Sequence, residues 1–301
     1  MEKWADVVAD RIVGTDALGK GKPGAFNVKH RVGGALLLLG AADTGKTTLL
    51  GALVKRLVRD RPVALVDADI GQSHLGPPAT VGWSLREKDT GEAVELRPRG
   101  IAFVGDVTPM GHLLQLTAAL ALCAEQARQA ADVVLIDTPG LVTGGAACSL
   151  WWTIQRLLRP ERILAIERDR ELDEVLGGLQ TGLSQIDRIA APARFRRKSP
   201  EARQEHRRRL FAEYLRDAAT YTLSLKGRAV RAGQRVSPDS VPGHLVGLTD
   251  ALGQDMAVGV IERWQPRQAK MTIRAPQLDI RRVRCLTIGN ARIERSVGWS
   301  G

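Results

Sequence analysis

The stretch Gly40-Ala-Ala-Asp-Thr-Gly-Lys-Thr-Thr48 constrains this chain more than any other part of it. It satisfies G-x-x-x-x-G-K-[ST] in full. It follows the apolar run ALLLLG and opens TTLLGALVKRLVRD, whose apolar residues recur at helical spacing. A strand, a glycine loop and a helix in that order turn successive backbone N–H groups toward phosphate oxygens, and the helix N-terminus adds partial positive charge. In such loops the lysine, here Lys46, reaches the β- and γ-phosphates, and the next hydroxyl, here Thr47, ligates Mg²⁺. The nucleotide-binding set is therefore Gly40, Asp43, Thr44, Gly45, Lys46, Thr47 and Thr48, with ATP as the nucleotide and GTP left open.

Around the loop, short apolar runs alternate with helical patterns. PVALVDAD, GIAFVGDV (100–107), DVVLIDTPG (132–140) and ERILAIER read as strands; residues 110–130, SLWWTIQRLL and ELDEVLGGL read as helices. Fully apolar strands separated by helices predict a parallel sheet covered on both faces. The fold class is α/β: a P-loop NTPase parallel sheet flanked by helices, with a small β-rich C-terminal domain. Residues 1–30 read as a short N-terminal appendage and 31–222 as the core. An Arg-rich, helix-prone lid covers 194–217, and 223–301, with its short alternating runs, forms the β-rich module. The glycine loop, Asp67 and Asp69, the GDVTP turn and DTPG all fall at strand carboxyl ends, where ligands bind in such sheets.

Two acidic motifs follow. Asp137 in LIDTPG fits a Walker-B aspartate, the D-x-x-G of a GTPase, or a turn residue capping the next helix; no N-K-x-D stretch follows to read guanine. Asp67 and Asp69 in VDADIGQ stand two apart at the carboxyl end of an apolar run. One suits Mg²⁺, directly or through water, and the other suits taking a proton from an attacking hydroxyl. Water as the attacker makes an ATPase and an alcohol makes a kinase; the aspartates alone leave both open. In SPEARQEHRRRLFAEYL, Arg203 and Arg207 are i, i+4 and share a helix face, suited to stabilising a transferring phosphoryl group.

The formal net charge of +11 points to a polyanionic partner, nucleic acid or an anionic surface. Cys123, Cys148 and Cys285 show no metal-binding spacing, and GALLLLGA is too short to span a bilayer. No signal-peptide pattern is visible, so a cytoplasmic protein without membrane association is expected.

The ordered set GAADTGKTT, VDADIGQ…GPPATVGW, FVGDVTP, VVLIDTPGLVTG, R-x-x-x-R before EYL, and LVGLTDALGQDMAVGVI resembles the polynucleotide 5′-hydroxyl kinases. These are P-loop RNA/DNA kinases related to the RNA-cleavage-complex and pre-ribosomal-RNA-processing kinases of eukaryotes and archaea. The resemblance covers about residues 33–295. It implies transfer of the γ-phosphate of ATP, with Mg²⁺, to the 5′-hydroxyl of RNA and/or DNA. It implies Lys46 as the loop lysine, Thr47 with Asp67 and Asp69 around the metal, and Asp69 as the base. Thr108-Pro109 then match the substrate clasp, Gln72 lies near the acceptor strand, and Arg203 and Arg207 match the lid arginines.

Two departures matter. About 33 residues precede the loop strand, where larger eukaryotic members carry an N-terminal domain, so docking of partners through such a domain is not expected here. Leu141 stands where the family often has a Trp that stacks on a terminal base; Trp83 and the Trp151–Trp152 pair are the substitutes to weigh, a helix-core role being favoured for the pair. His74 and His206 are assigned nothing. A nucleotide-switch ATPase of the ParA/MinD kind is the alternative reading, although such proteins usually have a lysine at the place of Ala41.

Overall fold

The structure is a computed structural model that describes residues 2–14, 34–87, 97–180, 182–192, 198–232 and 240–293. It bears out the α/β class, with a largely parallel sheet flanked by helices. The chain forms two compact units, one of residues 1–69, 82–99 and 120–198, the other of 70–81, 100–119 and 199–301.

In the first unit the strands are β1 (Gly34–Gly40), β2 (Val63–Asp67), β3 (Thr80–Arg86, mostly in this unit), β5 (Val133–Asp137), β6 (Arg162–Glu167) and β7 (Gln185–Ala190). β4 (Gly100–Phe103) belongs to the second unit. Among the described residues the order is β7-β6-β1-β5-β2-β3. β7, β6, β1, β5 and β2 run parallel and β3 closes the row antiparallel to β2. β1, β2, β5 and β6 are buried along their whole length, which is why their sequences are continuous apolar runs rather than alternating ones. Helices α2 (Lys46–Leu57), α4 (Gly144–Leu158) and α5 (Asp173–Gly178) lie in this unit, and α3 (Leu113–Ala130) contributes its C-terminal half. The register places Asp67 beside Asp137, and Leu38 on the other side of Asp137.

The start of the chain is helical. α1 (Glu2–Gly14) buries Ala5, Ala9 and Ile12 at helical spacing and packs on α2. Arg56 of α2 bonds to the carboxylates of Asp6 and Asp10, at 3.0 and 2.5 Å, and Trp4 Nε1 donates to the Ala190 carbonyl at 3.1 Å. Residues 15–33 lie outside the described residues.

In the second unit, α6 (Pro200–Tyr214) precedes β8 (Ala219–Ser224), β9 (Ala229–Ala232), β10 (His244–Thr249), β11 (Asp255–Gln265), β12 (Lys270–Ala275) and β13 (Cys285–Arg292). The order is β4-β11-β10-β13-β9, with β12 added to β11 and β8 to β12. Of GIAFVGDV, only Gly100–Phe103 is strand, and it runs antiparallel to β11, held where the Phe103 N–H donates to the Asp255 carboxylate at 2.7 Å. Ser199 caps α6, accepting from Ala202 N at 3.2 Å, with Pro200 at the first helical position; residues 194–197 of the expected lid lie outside the described residues.

Candidate functional site

The phosphate loop joins β1 to α2 and is shaped by close approaches. A Cβ on Gly40 would lie 2.6 Å from the Ile166 carbonyl oxygen, and one on Gly140, in the DTPG turn, 2.5 Å from Ala42 N. Gly45 caps α2 at φ 99°, a conformation glycine takes without strain. Lys46 is buried and its Nζ donates to the carbonyls of Gly40 and Ala41 at 2.8 and 2.9 Å, arching over the loop. Thr44 is buried too, its hydroxyl on the Ala41 carbonyl at 2.9 Å. Asp43 takes a left-handed φ of 59°. Its carbonyl accepts from Arg168 and its carboxylate from the Lys198 N–H at 3.1 Å, so the loop is held from outside by β6 and the segment before α6. Thr48 sits half-buried in the first turn of α2.

Thr47 is exposed, and its hydroxyl donates to Asp137 Oδ2 at 2.7 Å. Asp137 is buried at the last residue of β5, with Oδ1 accepting from Thr138 N at 3.0 Å. Thr138 in turn donates its hydroxyl to the Leu38 carbonyl at 2.6 Å, tying DTPG to the strand that feeds the loop. Asp67 ends β2 and is buried in register with Asp137; its Oδ1 accepts from the Asp69 N–H at 3.0 Å. β2 ends at Asp67, so Asp69 lies past the strand, where it is half-exposed. Asp67, Asp69 and Asp137 stand at the ends of two neighbouring strands beside the loop.

This cradle fits a nucleotide polyphosphate: glycines where a Cβ would collide, a lysine over the loop and a hydroxyl at the start of α2. Among the described residues, no three His, Cys, Asp or Glu side chains converge as a ready-made cage for a metal. Mg²⁺ suits such a site, since it is commonly held by one or two protein oxygens together with substrate phosphates. Asp137, for which the sequence left three readings open, is the acceptor of the Thr47 hydroxyl.

In the second unit, Gln72 is half-exposed in the 70–81 segment. Thr108 and Pro109 lie in a braced turn. Asp106 Oδ1 accepts from Val107 N at 2.6 Å and Thr108 N at 3.3 Å, and the Pro109 carbonyl accepts from His112 N at 2.9 Å. The His112 ring contacts the Met110 carbonyl at 3.3 Å and Asn290 Nδ2 at 2.9 Å. His112 and Asn290 are 178 positions apart, and no local pattern in the sequence signals their pairing.

On α6, Arg203, His206, Arg207, Phe211 and Tyr214 follow one another at helical spacing on its less exposed side. Phe211 and Leu215 are buried against Ala79, Leu245, Val258 and Val260, and the Tyr214 hydroxyl accepts from Val258 N at 3.0 Å. Burial pushes the Tyr214 phenol up to about 12. Burial, with Arg203 alongside, holds Arg207 below the ordinary arginine value. The rings of His74 and His206, which the sequence left without a role, are 6.2 Å apart.

The tryptophans divide. Trp151 is buried, with Nε1 on the Leu141 carbonyl at 2.6 Å, and Trp83 is buried with Nε1 on Gln126 at 2.7 Å. Trp152 is the exposed one, under the Arg156 guanidinium at 4.6 Å.

The chain is similar to the polyribonucleotide 5′-hydroxyl-kinase of Methanocaldococcus jannaschii, 28% identical over 68% of this chain and 58% of that protein. It is also similar to the polyribonucleotide 5′-hydroxyl-kinases of Pyrococcus furiosus (30% identical, 65% of this chain, 54% of that one) and Pyrococcus horikoshii (33%, 58% and 49%). The chain thus spans about half the length of these curated relatives. In fold it is similar to Clp1p as solved in complex with Pcf11p, at a TM-score of 0.69 and 11% identity, over 96% of this chain and 79% of that one. Residues 40–217, which hold the loop, the three aspartates, the braced turn and α6, match the family model described as mRNA cleavage and polyadenylation factor CLP1 P-loop, and the chain belongs to that family.

Proposed function

We propose that this chain is a polynucleotide 5′-hydroxyl kinase that moves the γ-phosphate of ATP to the 5′-hydroxyl end of RNA or DNA, with RNA the acceptor in the names of its relatives. The observation that carries the reading is the split of the acidic residues. Asp137 is committed to Thr47 at the foot of the loop, while Asp69 stands past the end of β2 with its backbone pinned to Asp67. One carboxylate thus stands at the foot of the loop and another past the end of the strand, the two places that transfer to an incoming hydroxyl needs.

In this reading the loop N–H groups and Lys46 hold the β- and γ-phosphates. Thr47, with Asp67 and Asp69 nearby, would hold Mg²⁺, which supplies charge neutralisation between the phosphates when bound. Asp69 accepts the proton of the 5′-hydroxyl as its oxygen bonds to the γ-phosphorus and the bond to the ADP oxygen breaks. Arg203 and Arg207 offset the charge spread over the transferring group; Thr108, Pro109 and Gln72 position the acceptor.

The test is transfer of labelled γ-phosphate to matched 5′-hydroxyl RNA and DNA oligonucleotides, with Lys46→Ala as the blank. Asp69→Asn is expected to lower transfer by about 10²–10⁴-fold with the Kd for ATP unchanged. Full activity in that variant removes Asp69 as the base. ATP hydrolysis with neither oligonucleotide labelled removes the kinase reading and makes water the acceptor.

A further inference from the structure

The second unit's sheet has an open half-face that none of the roles above uses. Strand partners share a face, so the pairing of β8, β12 and the end of β11 gives its composition directly. One rung is Thr222–Thr272–Arg263, the next Ser224–Lys270–Gln265, and on the other side Thr220 stands by Arg274. The Thr222 and Thr272 hydroxyls touch at 3.2 Å. Every side chain on the first two rungs is a hydroxyl, a cation or an amide, and Val260 ends the third. The opposite face, with Leu223, Ile261, Met271 and Ile273, is the buried core.

The half-face has a definite boundary. Val260 pairs with Arg274 across β11–β12 and with Leu245 across β10–β11, so all three lie on one side of the sheet. Val260 and Leu245 are covered by Phe211 and Leu215 at the end of α6. Among the described residues the cover stops beyond Val260, and a hollow of about 640 Å³ opens along Arg263, Thr272 and Arg274. The register shift between Ile261 and Arg263 turns Arg263 onto this side. Glu262 is the carboxylate in the lining. At the far end, Arg267 in the β11–β12 turn and Lys226 after β8 extend the cations, both exposed. Residues 199–301 as a whole hold 18 lysines and arginines against 10 aspartates and glutamates.

Arginine, lysine, serine and threonine without aromatics is the composition that binds phosphate oxygens and reads no bases. We propose that the β8–β12–β11 face is a backbone track for a single-stranded polynucleotide. It rests on the kinase reading only in that the strand it holds is the body of the acceptor whose end is phosphorylated. Arg263, Lys270 and Arg274 neutralise successive phosphates, the hydroxyls donate between them, and affinity grows with acceptor length without regard to sequence.

The test is fluorescence anisotropy with long (about 16-nucleotide) and short (about 4-nucleotide) single strands across a salt series. The variants are Arg263→Gln/Lys270→Gln, both exposed positions, and Thr222→Glu, which puts a negative charge mid-track without touching a cation. Both are expected to raise the Kd of the long strand about tenfold. The double variant should also lower the salt slope by about 1.4, since each phosphate neutralised on a single strand contributes about 0.7. Binding of the short strand and the KM for ATP stay as in the unaltered protein. An unchanged Kd and slope for the long strand overturns the track. Equal weakening toward a polyglutamate peptide also overturns it, in favour of an acidic protein partner. If the unaltered protein labels no 5′-hydroxyl end while the double variant still loses salt-dependent binding, the kinase reading fails and the track stands.

Discussion

Gly140 shows how a single missing side chain shapes the nucleotide site. The residue lies in the turn before α4 and is no expected ligand, yet its Cα lies so close to the loop that a methyl group would sit 2.5 Å from Ala42 N and 2.9 Å from Ala42 Cα. Those neighbours are backbone and cannot rotate away. Gly140→Ala is therefore expected to displace the loop and weaken ATP binding at least tenfold, a loss of about 1.4 kcal/mol, with the melting curve still cooperative. Calorimetric titration with ATP measures this, and an unchanged Kd would show that the loop shape does not depend on DTPG. The sequence made the loop itself legible, because its glycines, lysine and hydroxyls stand at fixed spacing within the nine residues 40–48. It could not show why DTPG ends in glycine, since the atom that glycine avoids is almost a hundred positions away. Asp137 lies between these cases. Its type and place after an apolar run marked it, and the bond to Thr47, 90 positions away, is what no local pattern could show.

At the scale of elements, α6 divides its labour along its length. The N-terminal half carries Arg203 and Arg207, while Phe211, Tyr214 and Leu215 fasten the C-terminal end to the sheet. The Tyr214 phenol, raised by burial to about 12, makes the anchor sensitive to alkali. In the unfolded chain a tyrosine ionises near 10, so between about pH 10 and 12 the unfolded state loses this proton while the folded state keeps it. Stability contributed below pH 10 is thus lost as pH rises, by about 1.4 kcal/mol per pH unit at most. Tyr214→Phe is expected to flatten the fall across that window. It should also cost about 1–3 kcal/mol at neutral pH, because the Val258 N–H loses its acceptor. Urea titrations at pH 7, 10 and 11 give both numbers; parallel pH profiles for the two proteins would remove Tyr214 from the anchor. α6 and the buried strands were legible because capping, helical spacing and long apolar runs are local. β3 and β7 were not. β3 runs antiparallel at the end of its row, and β7 alternates exposed and half-buried residues, so neither shows the continuous apolar run of its neighbours.

The two units are interleaved along the chain, and that bears on what folds by itself. The β-rich stretch that composition marks near the C-terminus draws structural residues from two earlier segments. Ala79 and Phe103 belong to the same apolar cluster as Phe211, Leu245 and Val258. The fit at Phe103 is close: a Cβ on Gly247 would lie 2.6 Å from its ring, and one on Gly289 2.9 Å, so both glycines leave a notch that the ring fills. Gly289 also packs its backbone against Gly105. Asp255 is a second tie. It is half-buried with its carboxylate on the Phe103 N–H and the Thr249 hydroxyl, and the desolvation raises its pKa. A chain of residues 199–301 alone would keep its strands' sequences but open this notch to water and leave Asp255 without the Phe103 N–H. A phenylalanine removed from a core commonly costs about 3–5 kcal/mol, a large part of the total stability of a domain of this size. The fragment is therefore expected to show no cooperative thermal transition, whereas the full chain does. Circular dichroism melts with dye binding on both would decide it. A sharp transition in the fragment would mean that β8–β13 close their own core, and that segments 70–81 and 100–119 are carried on that core rather than completing it.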